Sequence, residues 1–155
     1  MSSKVNAPNF DAISPHLCLN AKLRKLHRLL NGVYQQKINP FGLRGSMLSI
    51  LFIVGKNPDV NQKMLAEMLV LDESTMSRDI GRLVKEGWIE KNQSMEDARV
   101  SHLLVTKSGY KLLEKVSPIW QRLHDSVEVI LGGHQIAQID LMTRAIQDHL
   151  PALRS

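Results

Sequence analysis

The sequence predicts a mainly α fold with a small β component (α+β), and three observations carry that expectation. Apolar residues recur at helical spacing in six separate segments of the 155 residues. One short region, Trp88 to Val105, reads instead as two strand-like runs around a polar stretch. Breaks fall between these segments at Asn39-Pro40-Phe41-Gly42, Asn57-Pro58, Gly87 and Gly132-Gly133.

In chain order, residues Met1 to Ile13 read as loosely ordered. Ser14-Pro15 is a helix start, with Ser as cap and Pro at the first helical position, and the helix is expected to reach about Gln36. Leu19, Leu23, Leu26, Leu30 and Val33 alternate by four and three, a heptad seam that needs another helix against it. Met47 to Val54 is apolar nearly all round and reads as a buried helix stopped by Gly55 and Asn57-Pro58. Asn61 caps a short helix to Leu69, with Leu65, Met68 and Leu69 as its stripe; Val70-Leu71 is a tight link lacking the usual Gly.

Asp72 caps the next helix, to Lys85. Met76, Ile80, Leu83 and Val84 form its inward stripe, and Ser74, Thr75, Ser77, Arg78, Arg82 and Lys85 its polar face. Hydroxyls and guanidinium groups at the front of a short helix suit the reading of base edges in a DNA major groove, against the plainer reading of a solvated face. Gly87 ends the helix. Trp88 and Ile89 start a strand, Gln93 to Ser101 is a loop, and His102 to Val105 returns with Leu103 and Val105 on one face. A helix-turn-helix followed by such a ribbon is a winged helix. Thr106 caps a long helix, Lys107 to about Leu131, with Leu112, Val116, Ile119, Leu123, Val127 and Ile130 inward and a kink at Pro118. The last helix carries Ile136, Ile139, Met142, Ile146, Leu150 and Leu153, with Pro151 disturbing its final turn.

The expected organisation is one domain over 1–155: a winged helix-turn-helix at about 41–106, flanked by long terminal helices at about 14–40 and 107–155. Their open apolar seams imply dimerisation, with a closed monomeric bundle as the alternative. The formal net charge is +5, which permits an acidic partner. The excess lies early: His16 to Lys63 holds eight Lys and Arg against Asp59, whereas Asp72 to Arg99 holds five bases against seven acids. Any phosphate affinity must therefore come from particular side chains. The single cysteine, Cys18, excludes an internal disulfide and suits a reducing cytoplasm. No run approaches the ~20 apolar residues of a membrane span, and no signal-peptide pattern opens the chain. The six histidines form no metal-spaced pair, and no nucleophile elbow, P-loop or dinucleotide turn is present. The expectation is a protein that is not an enzyme and needs no metal or cofactor.

At this point the chain resembles the MarR family of transcriptional regulators, from Ser14 to Leu153. The residues that carry the resemblance are Asp97-Ala98-Arg99 followed by Val100 to Thr106 with Gly109, then Ser74 to Arg78 with Arg82-Leu83 and Gly87-Trp88-Ile89, and the order of the elements. Val105 stands where the family usually has Leu. The resemblance implies a homodimer on an inverted-repeat site in double-stranded DNA. Arg99 would enter the minor groove, with Asp97 holding it or a neighbouring backbone. Ser74, Thr75, Ser77, Arg78 and Arg82 would face the major groove or its phosphates, and Asn61, Gln62 and Lys63 the phosphates. It also implies a small aromatic or phenolic effector in a cleft, with His16, Leu19, Asn20, Leu23 and Phe52 as lining candidates; ordinary packing is the alternative for each. Leu17-Cys18-Leu19 is similar to the sensing segment of the family's organic-hydroperoxide branch. Thiol-based peroxide sensing through Cys18 is thus a second regulatory reading, beside a buried, inert thiol. A winged helix used for protein–protein interaction is the competing class.

Overall fold

The computed structural model describes residues 6–93 and 101–155. The chain divides into two compact units, Met1–Tyr34 and Gln35–Ser155.

In the first unit a turn of helix, α1 (Pro8–Asp11), lies within the segment expected to be loosely ordered. Pro15–Leu17 then forms a 3-10 turn, and α2 (Leu19–Ile38) begins four residues later than the Ser-Pro signal implies. The reason lies in the backbone. Ser14 makes no side-chain capping bond, and Cys18 is extended (φ −63°, ψ 105°), which separates the turn from the helix. Leu19, Leu23, Leu26 and Val33 of the expected seam are all exposed, and Leu30 is half-buried.

The second unit begins with the last turn of α2 and holds the core. Asn39–Phe41 makes a 3-10 turn that ends at Gly42. α3 (Met47–Lys56) is buried at Met47, Leu48, Ile50, Leu51 and Val54, as its nearly unbroken apolar run requires. α4 (Gln62–Leu69) and α5 (Glu73–Lys85) follow, then β1 (Ile89–Gln93) and β2 (Ser101–Val105). The strands are antiparallel, with Ile89 opposite Val105 and Gln93 opposite Ser101. Gln93 and Ser101, expected in the loop, are therefore the paired ends of the ribbon, and Trp88 precedes the strand rather than opening it. Asn61 forms a bridge to His102, and Leu103 N–H donates to the Val60 carbonyl at 3.0 Å, so the start of α4 is tied to the ribbon.

α6 (Lys107–Leu131) and α7 (Gly133–Arg154) complete the unit. Pro118 and Pro151 both lie within continuous helices at exposed positions, where a carbonyl lacking its amide partner faces water. α6 buries Leu113 and Val116, while Leu112, Ile119, Leu123 and Val127 are half-buried. Ile130, expected inward, is 80% exposed. α7 has no buried residue: Ile139, Met142, Ile146 and Leu153 are exposed. No helix among the described residues is long and apolar enough to cross a membrane.

Candidate nucleic-acid interface

Three local devices position α5. The first is the link from α4. Asn61 caps α4, its side-chain oxygen accepting from Met64 N–H at 3.0 Å. Leu65 is fully buried, but Met68, expected beside it, is 55% exposed. The helix ends on Val70 in the left-handed conformation (φ 51°, ψ 45°). The link needs a left-handed residue, and a β-branched one supplies it at a steric cost.

The second device is the Asp72 cap. Its carboxylate accepts from Thr75 N–H at 2.8 Å, Thr75 Oγ1 at 2.7 Å and Ser74 Oγ at 2.5 Å. These hydrogen bonds hold the Asp72 carboxyl well below the usual carboxylate range, with Ser74 the largest contributor. The third is the C-terminus. Gly87, at φ +70°, donates to the Val84 carbonyl at 3.0 Å, and Trp88 N–H donates to the Leu83 carbonyl at 2.9 Å. That pair of bonds is a Schellman motif. The Gly87 carbonyl then accepts from both Thr106 Oγ1 and Ser108 Oγ at the front of α6.

Between these ends the helix sorts its residues. Met76, Ile80 and Leu83 are fully buried, each contributing about 1.5–3 kcal/mol by leaving water. Val84, expected with them, is exposed instead. Ser77, Arg78 and Lys85 are exposed on the opposite side. Ser74 and half-buried Thr75 are also there, but their hydroxyl protons are committed to Asp72. Arg82 is paired at 3.2 Å with Asp79. A groove of about 490 Å³ adjoins the front of both helices, lined by Asn61, Gln62, Lys63, Ala66, Glu73, Lys91 and Ser101. It brings together the three α4 candidates; Lys91 adds a cation and Glu73 an acid. Asp97 and Arg99 lie outside the described residues.

Asp79 is the residue that sequence reasoning missed. It is 6% exposed and accepts from Ser46 Oγ at 2.5 Å as well as from Arg82. The signal was present: Asp79 falls three residues after Met76 and four before Leu83, on the apolar stripe.

The effector candidates belong to different units. His16, Leu19, Asn20 and Leu23 are exposed in the first. Phe52, in the second, packs edge-on against Trp120 at 5.3 Å, and Trp120 stacks on His124 at 4.8 Å. Cys18 is an exposed free thiol, not the buried one that a structural role would require.

Two short helices joined by a left-handed turn, with an antiparallel ribbon after them, define a winged helix-turn-helix protein. The MarR family model matches residues 46–101, the segment that holds α3 to the start of β2. The HTH-type transcriptional regulator BilQ of Clostridium symbiosum is 29% identical over 86 residues, 56% of this chain and 60% of BilQ. The uncharacterized HTH-type transcriptional regulator YybA of Bacillus subtilis is 34% identical over 91 residues, 58% of this chain and 57% of YybA. The chain thus spans about three fifths of the length of these curated relatives. Among solved structures, the S. aureus MepR–DNA complex superposes with a TM-score of 0.75 at 17% identity, covering 88% of this chain and 99% of MepR. PcaV of Streptomyces coelicolor, solved with its natural ligand, gives 0.73 at 19% identity over 88% and 96% of the two chains. At these identities the likeness is one of fold.

Proposed function

We propose that this protein is a homodimeric transcriptional regulator of the cytoplasm that binds an inverted repeat in double-stranded DNA. The observation that carries the reading is the two-sided α5. One side is anchored by Met76, Ile80 and Leu83, and the other presents Ser77, Arg78 and Arg82 from a helix capped at both ends. α5 enters the major groove, with Arg78 and Arg82 reaching base edges or phosphates. The front of α4, with Gln62 and Lys63, meets the backbone where free N–H groups favour anions. Arg99, with Asp97 beside it, is assigned to the minor groove. Ser74 and Thr75 serve first as partners of the Asp72 cap, so Ser77 is the hydroxyl free to read a base. The exposed seams of α2 and α7 are the surfaces through which two copies join. The DNA complex of MepR supports the nucleic-acid reading, since its fold is shared. PcaV was solved with its natural ligand, which supports control by a small effector, for which an aromatic or phenolic anion is the class assigned here.

Titration of the duplex upstream of the gene in a mobility-shift assay tests this. Affinity is expected to fall steeply between low and moderate salt, because each neutralised phosphate releases counterions. Arg78→Ala is expected to weaken binding about tenfold with the fold intact, the size of one lost base or phosphate contact. Binding that ignores salt, or an unaltered shift for the variant, contradicts the proposal.

A further inference from the structure

A buried carboxylate in the middle of a DNA-reading helix needs a reason. Asp79 carries negative charge behind the face proposed to meet phosphates, so simple attraction for DNA would be stronger without it. Burial also makes it costly unless it is fully partnered, and a well-packed hydrophobe there is often as stable. Its two partners point in different directions. Oδ2 accepts from Ser46 Oγ at 2.5 Å, and Oδ1 accepts from Arg82 Nη1 at 3.2 Å. Ser46 immediately precedes α3 and is itself held in place. Its neighbour Gly45 donates N–H to Gln35 Oε1 at 3.2 Å, while Gln35 Nε2 donates to the Gly45 carbonyl at 3.3 Å. The chain of contacts therefore runs from a pinned backbone, through Ser46 and the Asp79 carboxylate, to a guanidinium whose side chain is 45% exposed. Asp79 engages one of the five guanidinium N–H donors, and among the described residues no other acceptor is bonded to the remaining four.

We propose that Asp79 is a positioning residue. From inside the core it seats α5 on the start of α3 and fixes the direction of Arg82, so that Arg82 meets a duplex as an oriented fork of donors instead of a swinging cation. This rests on the DNA-binding reading above for its consequence, but not for the tether itself. The trade is affinity for discrimination: the acid weakens attraction to any duplex and sharpens the choice among duplexes.

Asp79→Asn tests it, because the amide oxygen still accepts from Ser46 while the charge that holds Arg82 is gone. Two readouts separate the tether from its use. Without DNA, the Arg82 Nε–H resonance is expected to show an ordered side chain in the wild type and a mobile one in Asp79→Asn. Equal mobility in both overturns the proposal. With DNA, Asp79→Asn is expected to lose about tenfold in the ratio of specific to random duplex affinity, with random-duplex affinity unchanged or tighter. That loss is expected to vanish in an Arg82→Ala background. Equal weakening on every duplex, or the same loss without Arg82, means a merely structural role and overturns it. Should Asp79→Asn fail to fold, Ser46→Ala keeps the ion pair but frees the carboxylate from α3. It is expected to raise Arg82 mobility, and an unchanged Arg82 overturns the tether. A wild type that orders Arg82 yet binds no duplex supports the tether and sinks the DNA reading.

Discussion

Two residues at the entrance to α5, one in a costly conformation and one a charged cap, each yield a measurable expectation. Val70 adopts φ 51° while 69% exposed, so it gains little from burial to offset its conformation. A left-handed L-residue costs roughly 1–2 kcal/mol, of which glycine's extra chain entropy returns part. Val70→Gly is therefore expected to stabilise the fold by about 0.5–1 kcal/mol in urea unfolding, with unchanged m. Asp72 is the second. Its carboxyl titrates lower in the folded chain than in the unfolded one because Ser74 and Thr75 donate to its charged form. The sign follows from linkage: the stabilisation is present above the unfolded carboxylate pKa of about 3.9 and is lost as pH falls toward the folded value. Asp72→Asn keeps a capping oxygen without the titration. Thermal unfolding between about pH 5 and pH 2 should thus show a shallower acid slope for the variant than for the wild type.

At the scale of elements, the sequence made α5 legible because two periods coincide: apolar residues on one side and hydroxyls with guanidinium groups on the other. The joint between ribbon and α6 was legible only as a pattern, Thr106 with Gly109, and the structure supplies its cause. Thr106 Oγ1 accepts from Gly109 N–H at 3.1 Å, and a Cβ on Gly109 would stand 2.2 Å from the Trp88 carbonyl oxygen. Gly109→Ala must therefore push the strand away from the helix, at a cost of about 3 kcal/mol read as a fall in melting temperature. Other features were hidden for physical reasons. Asp79 looks like one more solvated acid until the stripe is drawn through it. Ser14-Pro15 is a sound helix start locally, but the extended Cys18 confines it to a 3-10 turn. On α6, Leu113 and Val116 face the core, whereas the heptad-like count ran on to Ile130, past the last buried turn. The Asp97–Arg99 signature, the most specific local motif, falls in the stretch that is not described.

At the scale of the molecule, the second unit has a complete core, yet two long helices of the chain leave apolar residues in water. Leu19, Leu23, Leu26 and Val33 on α2, and Ile139, Met142, Ile146 and Leu153 on α7, are exposed along their lengths. Seams of this length are expected to be covered by a second copy. Sedimentation equilibrium should give a dimer for the wild type. Leu26→Glu combined with Ile146→Glu should give a monomer of unchanged helical content, since neither side chain belongs to the core of a single chain.

The carbonyl of Gly87 has a role beyond ending a helix. Two hydroxyls from the next long helix are fastened to that one oxygen, and the Trp88 carbonyl beside it takes the Thr106 amide at 3.0 Å. The rear of α5 is thereby riveted to the front of α6 by hydrogen bonds that bypass the ribbon lying between them in the chain. A rotation imposed on α6 would therefore pull on the rear of α5, so that, if α5 meets DNA as proposed, α6 is the shaft through which a distant event would turn it.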